Sequence, residues 1–159
     1  MSGRVVIPIH NEQGELVAYA GRWPADEGWP DGEGKYKLLP AFKKSHVLFN
    51  LHRALKSGTG TSVIAPEGFF DVMKIYQAGF PNVVGLMGTA LDPVQEALLV
   101  EHFDTITLHF DEDNAGRVGR DEALARLSRK VYVKVIELGT DGMQPVLLIE
   151  WYGFEHHPP

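Results

Sequence analysis

Apolar and polar positions organise the chain into short strands, then into alternating strands and helices. Residues 4–9 and 15–21 are apolar-rich runs of strand length flanking His10-Asn11-Glu12-Gln13-Gly14. Two such runs around a polar stretch that closes on glycine predict a hairpin. Residues 22–39, rich in Gly, Pro, Trp and charge, form a connection longer than ordinary loops; such segments often carry function. Residues 45–49 read as a short strand and residues 50–56 as a short helix that stops before Ser57-Gly58. From residue 62 the order is regular. Strand 62–65 leads to helix 69–78, which ends at Gly79. Strand 82–86 leads through Met87-Gly88-Thr89-Ala90 to helix 93–101. Strand 105–110 leads to helix 115–127, and strand 131–137 follows. Asp92 fits an N-cap, Pro93 the first helical position, and Gln95 the far side of a capping box. Alternating βα units predict a largely parallel sheet. Residues 139–159 give no clear pattern, and there is no internal repeat.

A length of 159 residues with 44% hydrophobic content is one domain or a little more, with an ordinary core. The absence of cysteine excludes disulfides and thiolate zinc sites. No apolar run approaches the roughly 20 residues that span a membrane, and the opening residues lack a signal-peptide pattern. No membrane partner and a cytoplasmic location are therefore expected. The net charge of −6 gives no global basic field. Contact with nucleic acid would need a local basic cluster or a metal. Arg22, Lys35, Lys37, Lys43 and Lys44 form such a cluster, interleaved with Trp23, Trp29 and Tyr36. Stacking rings among phosphate-pairing cations suit single-stranded nucleic acid. The plainer reading is solvated lysines and aromatics that pack the loop onto the domain.

The chemistry points to two strand ends. Val63-Ile64-Ala65-Pro66 stops at Glu67-Gly68, and Ile106-Thr107-Leu108-His109-Phe110 stops at Asp111-Glu112-Asp113. Ligands of open α/β sheets bind at strand ends, so Glu67, Asp111 and Asp113 are expected to converge. Extended geometry through residue 113 would turn Asp111 and Asp113 to one side and Glu112 away. Close carboxylates repel one another without a cation, and hard oxygen donors suit Mg²⁺ or Mn²⁺. Arg117 and Arg120 read as surface-pairing residues. His46, His52, His102 and His109 are scattered without metal-ligand spacing, and His156-His157 reads as a tail.

Glu67-Gly68-x-x-Asp71, Gly88-Thr89-Ala90-Leu91 and Asp111-x-Asp113-x-Ala115-Gly116 together resemble the TOPRIM domain of primases, topoisomerases, nucleases and recombination proteins. Upstream, residues 4–9, Gly14, Ala20-Gly21-Arg22, Lys35-Tyr36-Lys37, Phe42-Lys43-Lys44 and Leu48-Phe49-Asn50-Leu51 resemble the segment before TOPRIM in bacterial DnaG-type primases and in zinc-finger-associated primase-like proteins. The resemblance implies an α/β fold: a Rossmann-like, mostly parallel TOPRIM sheet flanked by helices, with a small N-terminal α+β subdomain. The implied divisions are residues 1–57, 58–138 and a C-terminal extension, 139–159.

The same resemblance implies catalytic and Mg²⁺- or Mn²⁺-binding roles for Glu67, Asp111 and Asp113. It gives nucleic-acid or nucleotide contacts to Arg22, Lys35 and Lys43, which the basic cluster extends to Lys37 and Lys44, and the motifs give supporting positions to Gly68, Asp71, Gly88, Thr89 and Gly116. It implies metal-dependent synthesis of short RNA primers from nucleoside triphosphates on a single-stranded DNA template. A replicative helicase or a separate zinc-binding domain is a further implied partner. The chain departs from the primase pattern at Glu112, Lys37-Leu38 and Val146, and no zinc finger precedes residue 4. An excised catalytic region or a reduced relative is expected. Two alternatives stand beside it: phosphodiester hydrolysis by the same carboxylates, and a nucleic-acid- or nucleotide-binding module without turnover, which Glu112 and Val146 favour.

Overall fold

The computed structural model describes residues 2–24, 28, 30, 32–137 and 148–152, with residues 137 and 148–152 described as backbone. Trp29, Gln144-Pro145-Val146 and His156-His157 lie outside the described residues.

Strands β1 (Val5–His10) and β2 (Leu16–Arg22) form the expected hairpin. Ile7 faces Ala20 and Ile9 faces Ala18, and all four are buried. The turn is held by Asn11, whose side-chain oxygen accepts the Glu15 N–H at 2.9 Å. A third strand, β3 (Tyr36–Leu38), pairs antiparallel with β2 inside what the sequence presents as loop. Three residues show no alternation to read; pairing with β2 makes them a strand. Arg4 anchors this region. Its buried guanidinium donates to Glu33 at 2.6 Å and to the Gly21 and Lys35 carbonyls, and it stacks on Trp23.

The strand expected over residues 45–49 is not there. A 3₁₀ turn, Lys44–His46, comes first, and only Phe49 pairs, exchanging two backbone hydrogen bonds with Gly85. The reason is the buried Gln95 amide, which donates to the carbonyls of Lys44, Val47 and Leu86. A side chain satisfies these groups in place of a neighbouring strand. Asn50, with φ at 71°, turns the chain into helix α1 (Leu51–Lys56) and donates its amide to Val83 O.

The second sheet holds β4 (Ser62–Pro66), β5 (Thr105–His109) and β6 (Tyr132–Glu137) in parallel, with β7 (Leu148–Tyr152) antiparallel on β6. Helices α2 (Phe69–Gln77), α3 (Pro93–His102) and α4 (Asn114–Leu127) lie where expected, but the strand expected over residues 82–86 does not form, so α2 and α3 follow one another without a strand between them. Residues 82–86 run along the free side of β4 through bonds at Ile64, Val84 and Leu86, with one isolated bridge and no continuous ladder. The pleat divides the core. Val63, Ala65, Ile106 and Leu108 face a cluster with Leu99, Phe103 and Leu127. Ile64 packs toward Ile7, Ile9, Phe49, Phe69 and Met87. The Asp92 capping box starts α3, with Asp92 accepting the Val94 N–H and Gln95 returning to Asp92 N–H. No helix among the described residues is long and apolar enough to cross a membrane.

Gln95→Leu should remove one buried amide that serves three carbonyls. We expect a stability loss of about 1–3 kcal/mol, read as a lower denaturant midpoint with an unchanged slope.

Candidate active site

Parallel pairing sets Pro66 opposite His109, so the chain leaves both strands at the same sheet edge. Glu67 is the next residue on one side, and Phe110 and Asp111 follow on the other. The Glu67 carboxylate accepts the Asp111 backbone N–H at 3.0 Å. The two sequence-distant acidic motifs therefore meet directly.

Asp113 arrives by a different route from the one its spacing predicts. Strand β5 ends at His109, so alternation does not extend through residues 111–113. Asp113 instead is the N-cap of α4, accepting the Gly116 N–H at 2.7 Å. An oxygen at this position satisfies a helix donor that has no partner within the helix. Arg117 donates to Glu112 O and Asn114, and Arg120 pairs with Asp121 at 2.9 Å, as the surface reading expects.

Close approach explains the glycines. A Cβ on Gly116 would lie 2.1 Å from Asp111 O and 2.8 Å from Glu67 Oε1. A Cβ on Gly119, three residues on and so on the same helix face, would lie 2.0 Å from Thr89 O. The backbone of α4 thus supports both the acidic loop and the Gly88-Thr89 loop. Gly119 escaped the sequence reading, although its three-residue offset from Gly116 was visible. Gly68 caps α2, and a Cβ there would meet the Asp71 carboxylate at 2.6 Å. Gly88 donates its N–H to Glu67 O at 3.2 Å. Beside it, buried Met87 holds φ at 61°, an uncommon backbone state for a side chain of its size, and its carbonyl accepts Lys44 Nζ at 2.9 Å.

Strand β3, Arg22, Lys35, the Lys44 turn, the start of α2, the Met87-Gly88 turn and Asp111 line an open cavity of about 850 Å³. Glu67, Asp71 and Asp111 supply its carboxylates, and Arg22, Lys35, Lys44 and Lys74 its cations. Arg22 lies over the Phe70 ring at 4.3 Å and near Tyr36 at 5.9 Å. The basic cluster is divided. Lys37 pairs with Glu33 at 3.5 Å, and Lys43 lines a separate hollow with Phe42 and His46. Lys74 was missed; its signal was the three-residue step from Asp71 along one helix face. Trp23 packs against Gly3 and Arg4, the plainer of its two readings.

Burial raises the Glu67 pKa, and the charges of Asp111, Asp113 and Asp71 raise it further; the Asp111 N–H acts in the opposite direction. Burial also raises the Tyr36 hydroxyl. Among the described residues, no three carboxylates or imidazoles form a ready-made metal-ligand set.

Residues 61–137 match the Toprim domain, and residues 1–55 match the N-terminal domain of the DNA primase catalytic core. The chain belongs to the primase-type Toprim family. It is 35% identical to a DNA primase of Staphylococcus epidermidis over 87% of its own length and 23% of the relative's. It superposes on the Aquifex aeolicus primase, a crystal structure of zinc-binding and RNA polymerase domains, with a TM-score of 0.77. That match has 32% identity and covers 90% of this chain and 36% of that one. The RNA polymerase domain of Mycobacterium tuberculosis primase DnaG, solved with double-stranded DNA carrying a 6-nucleotide overhang, matches with a TM-score of 0.69. Its identity is 29%, over 89% of this chain and 47% of that one. The chain spans roughly a quarter of the length of the curated relatives it matches. The α/β fold, with its parallel sheet and N-terminal antiparallel sheet, agrees with the family expectation.

The Glu67 environment predicts a pH-dependent stability difference. A carboxyl whose pKa is raised by folding stabilises the fold below its unfolded value and loses that contribution as pH rises. With chelator present, Glu67→Gln should therefore melt above the parent at neutral pH. The two should converge as pH falls below about 4, under the ordinary glutamate range. Thermal melts across that window check the sign.

Proposed function

We propose that this chain is the catalytic core of a DNA primase, joining ribonucleotides on a single-stranded DNA template. The observation that carries this reading is the contact between Glu67 and Asp111, facing Arg22, Lys35, Lys44 and Lys74 across one cavity. In this reading residues 1–57 hold nucleic acid, residues 58–138 carry the chemistry, and residues 139–159 are a C-terminal extension. The DNA bound by the Mycobacterium tuberculosis relative supports a nucleic-acid ligand. A replicative helicase and a separate zinc-binding domain, of the kind named for the Aquifex aeolicus primase, complete the proposed partners.

The donor set fits Mg²⁺ or Mn²⁺. Mg²⁺ commonly uses one or two protein carboxylates and takes its remaining ligands from water and substrate phosphates. That preference accommodates the lack of a three-residue ligand set among the described residues. Glu67, Asp111 and Asp113 would hold the ion, with one Asp113 oxygen used by its capping bond. A nearby cation would also offset the burial and repulsion that raise the Glu67 pKa. When bound, the ion supplies activation of the attacking 3′-hydroxyl and neutralisation of phosphate charge.

The remaining work falls to the chain's own groups. Arg22 is oriented by its ring contacts and by the bond it donates to Trp23 O, and it presents charge to a phosphate. Lys44 holds the Met87-Gly88 turn against Glu67. Tyr36 and Phe70 line the same wall and offer apolar surface to a base or ribose.

Ribonucleotide incorporation on a primed single-stranded template with Mg²⁺ or Mn²⁺ tests the reading. Glu67→Gln should lower the rate by about 10²–10⁴-fold, the range of a positioned acid or base, while leaving DNA affinity within about twofold. Template cleavage with the same residue dependence would make the chain a nuclease. Metal-independent DNA binding without turnover would make it a binding module.

Metal binding has its own check. Mg²⁺ or Mn²⁺ should raise the melting temperature through preferential binding to the native state. The double variant Asp111→Asn, Asp113→Asn should lose that rise. An unchanged rise would place the ion elsewhere.

A further inference from the structure

We infer that Lys74 is a phosphate-binding residue of the cleft, recruited from helix α2. The inference rests on the proposed function only for its choice of ligands.

Position comes first. Lys74 follows Asp71 by three residues and Phe70 by four, so all three share one face of α2. The helix begins directly after Glu67-Gly68, which aims that face into the cavity lined by Glu67 and Asp111.

Commitment of the neighbouring cations comes second. Lys44 donates its ammonium to Met87 O. Arg22 donates to Trp23 O and lies on the Phe70 ring. Lys35 also has an interaction of its own. Lys74 is exposed, and among the described residues its ammonium has no hydrogen bond or ion pair. Its flexible stem carries a point charge that can follow a phosphate without breaking a contact that holds the fold.

Charge balance comes third. Four cations face three carboxylates on the cavity wall. Without Lys74 the wall has no positive surplus, within a chain of net charge −6. Removing any one of the four would cancel that surplus, and Lys74 is the one that has no hydrogen bond or ion pair among the described residues, so its charge is the one left to meet an anion.

The phosphate could belong to a ribonucleoside triphosphate or to the DNA backbone, and equilibrium binding separates the two. A fluorescent ribonucleoside triphosphate with Mg²⁺ and a labelled single-stranded oligodeoxynucleotide would be titrated against the parent, Lys74→Ala and Lys74→Arg. Unchanged melting temperatures would verify folding. If the triphosphate is the ligand, Lys74→Ala should raise its Kd about tenfold, or about 1.4 kcal/mol, and Lys74→Arg should recover most of the loss. If the DNA backbone is the ligand, the oligonucleotide should bind more weakly. Its slope of log affinity against log salt should then flatten by about 0.7, one single-strand phosphate contact. Either result supports the assignment and names the source. Changes below twofold for both ligands, or a parent that binds neither, would overturn it. Normal binding with the Lys74 effect but no nucleotide incorporation would sink the primase reading and leave the assignment standing.

Discussion

The cleft depends on one register, the parallel pairing that sets Ser62 against Thr105 and Pro66 against His109. Both strands end level, so the residues that follow emerge side by side. Glu67 then lies within hydrogen-bond reach of Asp111, although 44 residues separate them. A one-residue slip would turn every side chain of one strand to the opposite face. Val63 and Ala65 would leave their core, and Glu67 would lose its alignment with the acidic loop. Burial of Val63, Ala65, Ile106 and Leu108 therefore sets the register and the geometry of the site together.

Helix α4 supports that edge through close backbone contacts. Gly116 and Gly119 let its backbone approach the Asp111 and Thr89 carbonyls. Asp113 caps the same helix, so one residue both ends the acidic loop and starts its support. The arrangement carries an electrostatic cost. Glu67 is partly buried among three other carboxylates, which raises its pKa. Packing and backbone bonds hold these like charges together against their repulsion.

The N-terminal sheet shares an apolar cluster with Phe69, Val72, Val83 and Met87, and specific bonds fix the segment that follows it. Phe49 and Gly85 exchange two backbone bonds, and the Gln95 amide joins Lys44, Val47 and Leu86. These bonds hold the Lys44 turn where its side chain can reach Met87 O. Arg22, Lys35 and Lys44 thus share a single cavity with Glu67, Asp71 and Asp111, and Lys74 joins them from α2. Glu96 reinforces the opposite side of α3. Burial raises its pKa, but Lys130 at 2.7 Å and the Arg126 pair outweigh that effect and hold it below the ordinary value.

The sequence by itself determined the hairpin, the three parallel strands and the helices that follow them, the Asp92 capping box and the acidic residues at the strand ends. These features rest on side-chain alternation, helix periodicity and capping, which operate over a few residues and leave a local pattern. Only the tertiary structure decided which basic residues face the acids. Arg22, Lys35 and Lys44 do, Lys37 turns to Glu33, Lys43 lines another hollow, and Lys74 joins from α2. It also made β3 a strand, replaced the expected strand at residues 45–49 with a 3₁₀ turn, and gave Asp113 its capping role. The reason is range: Tyr36–Leu38 needs β2, and the Lys44 turn needs the Gln95 amide 51 residues away. Such partners are chosen by packing, and the local order of polar and apolar residues carries no record of them.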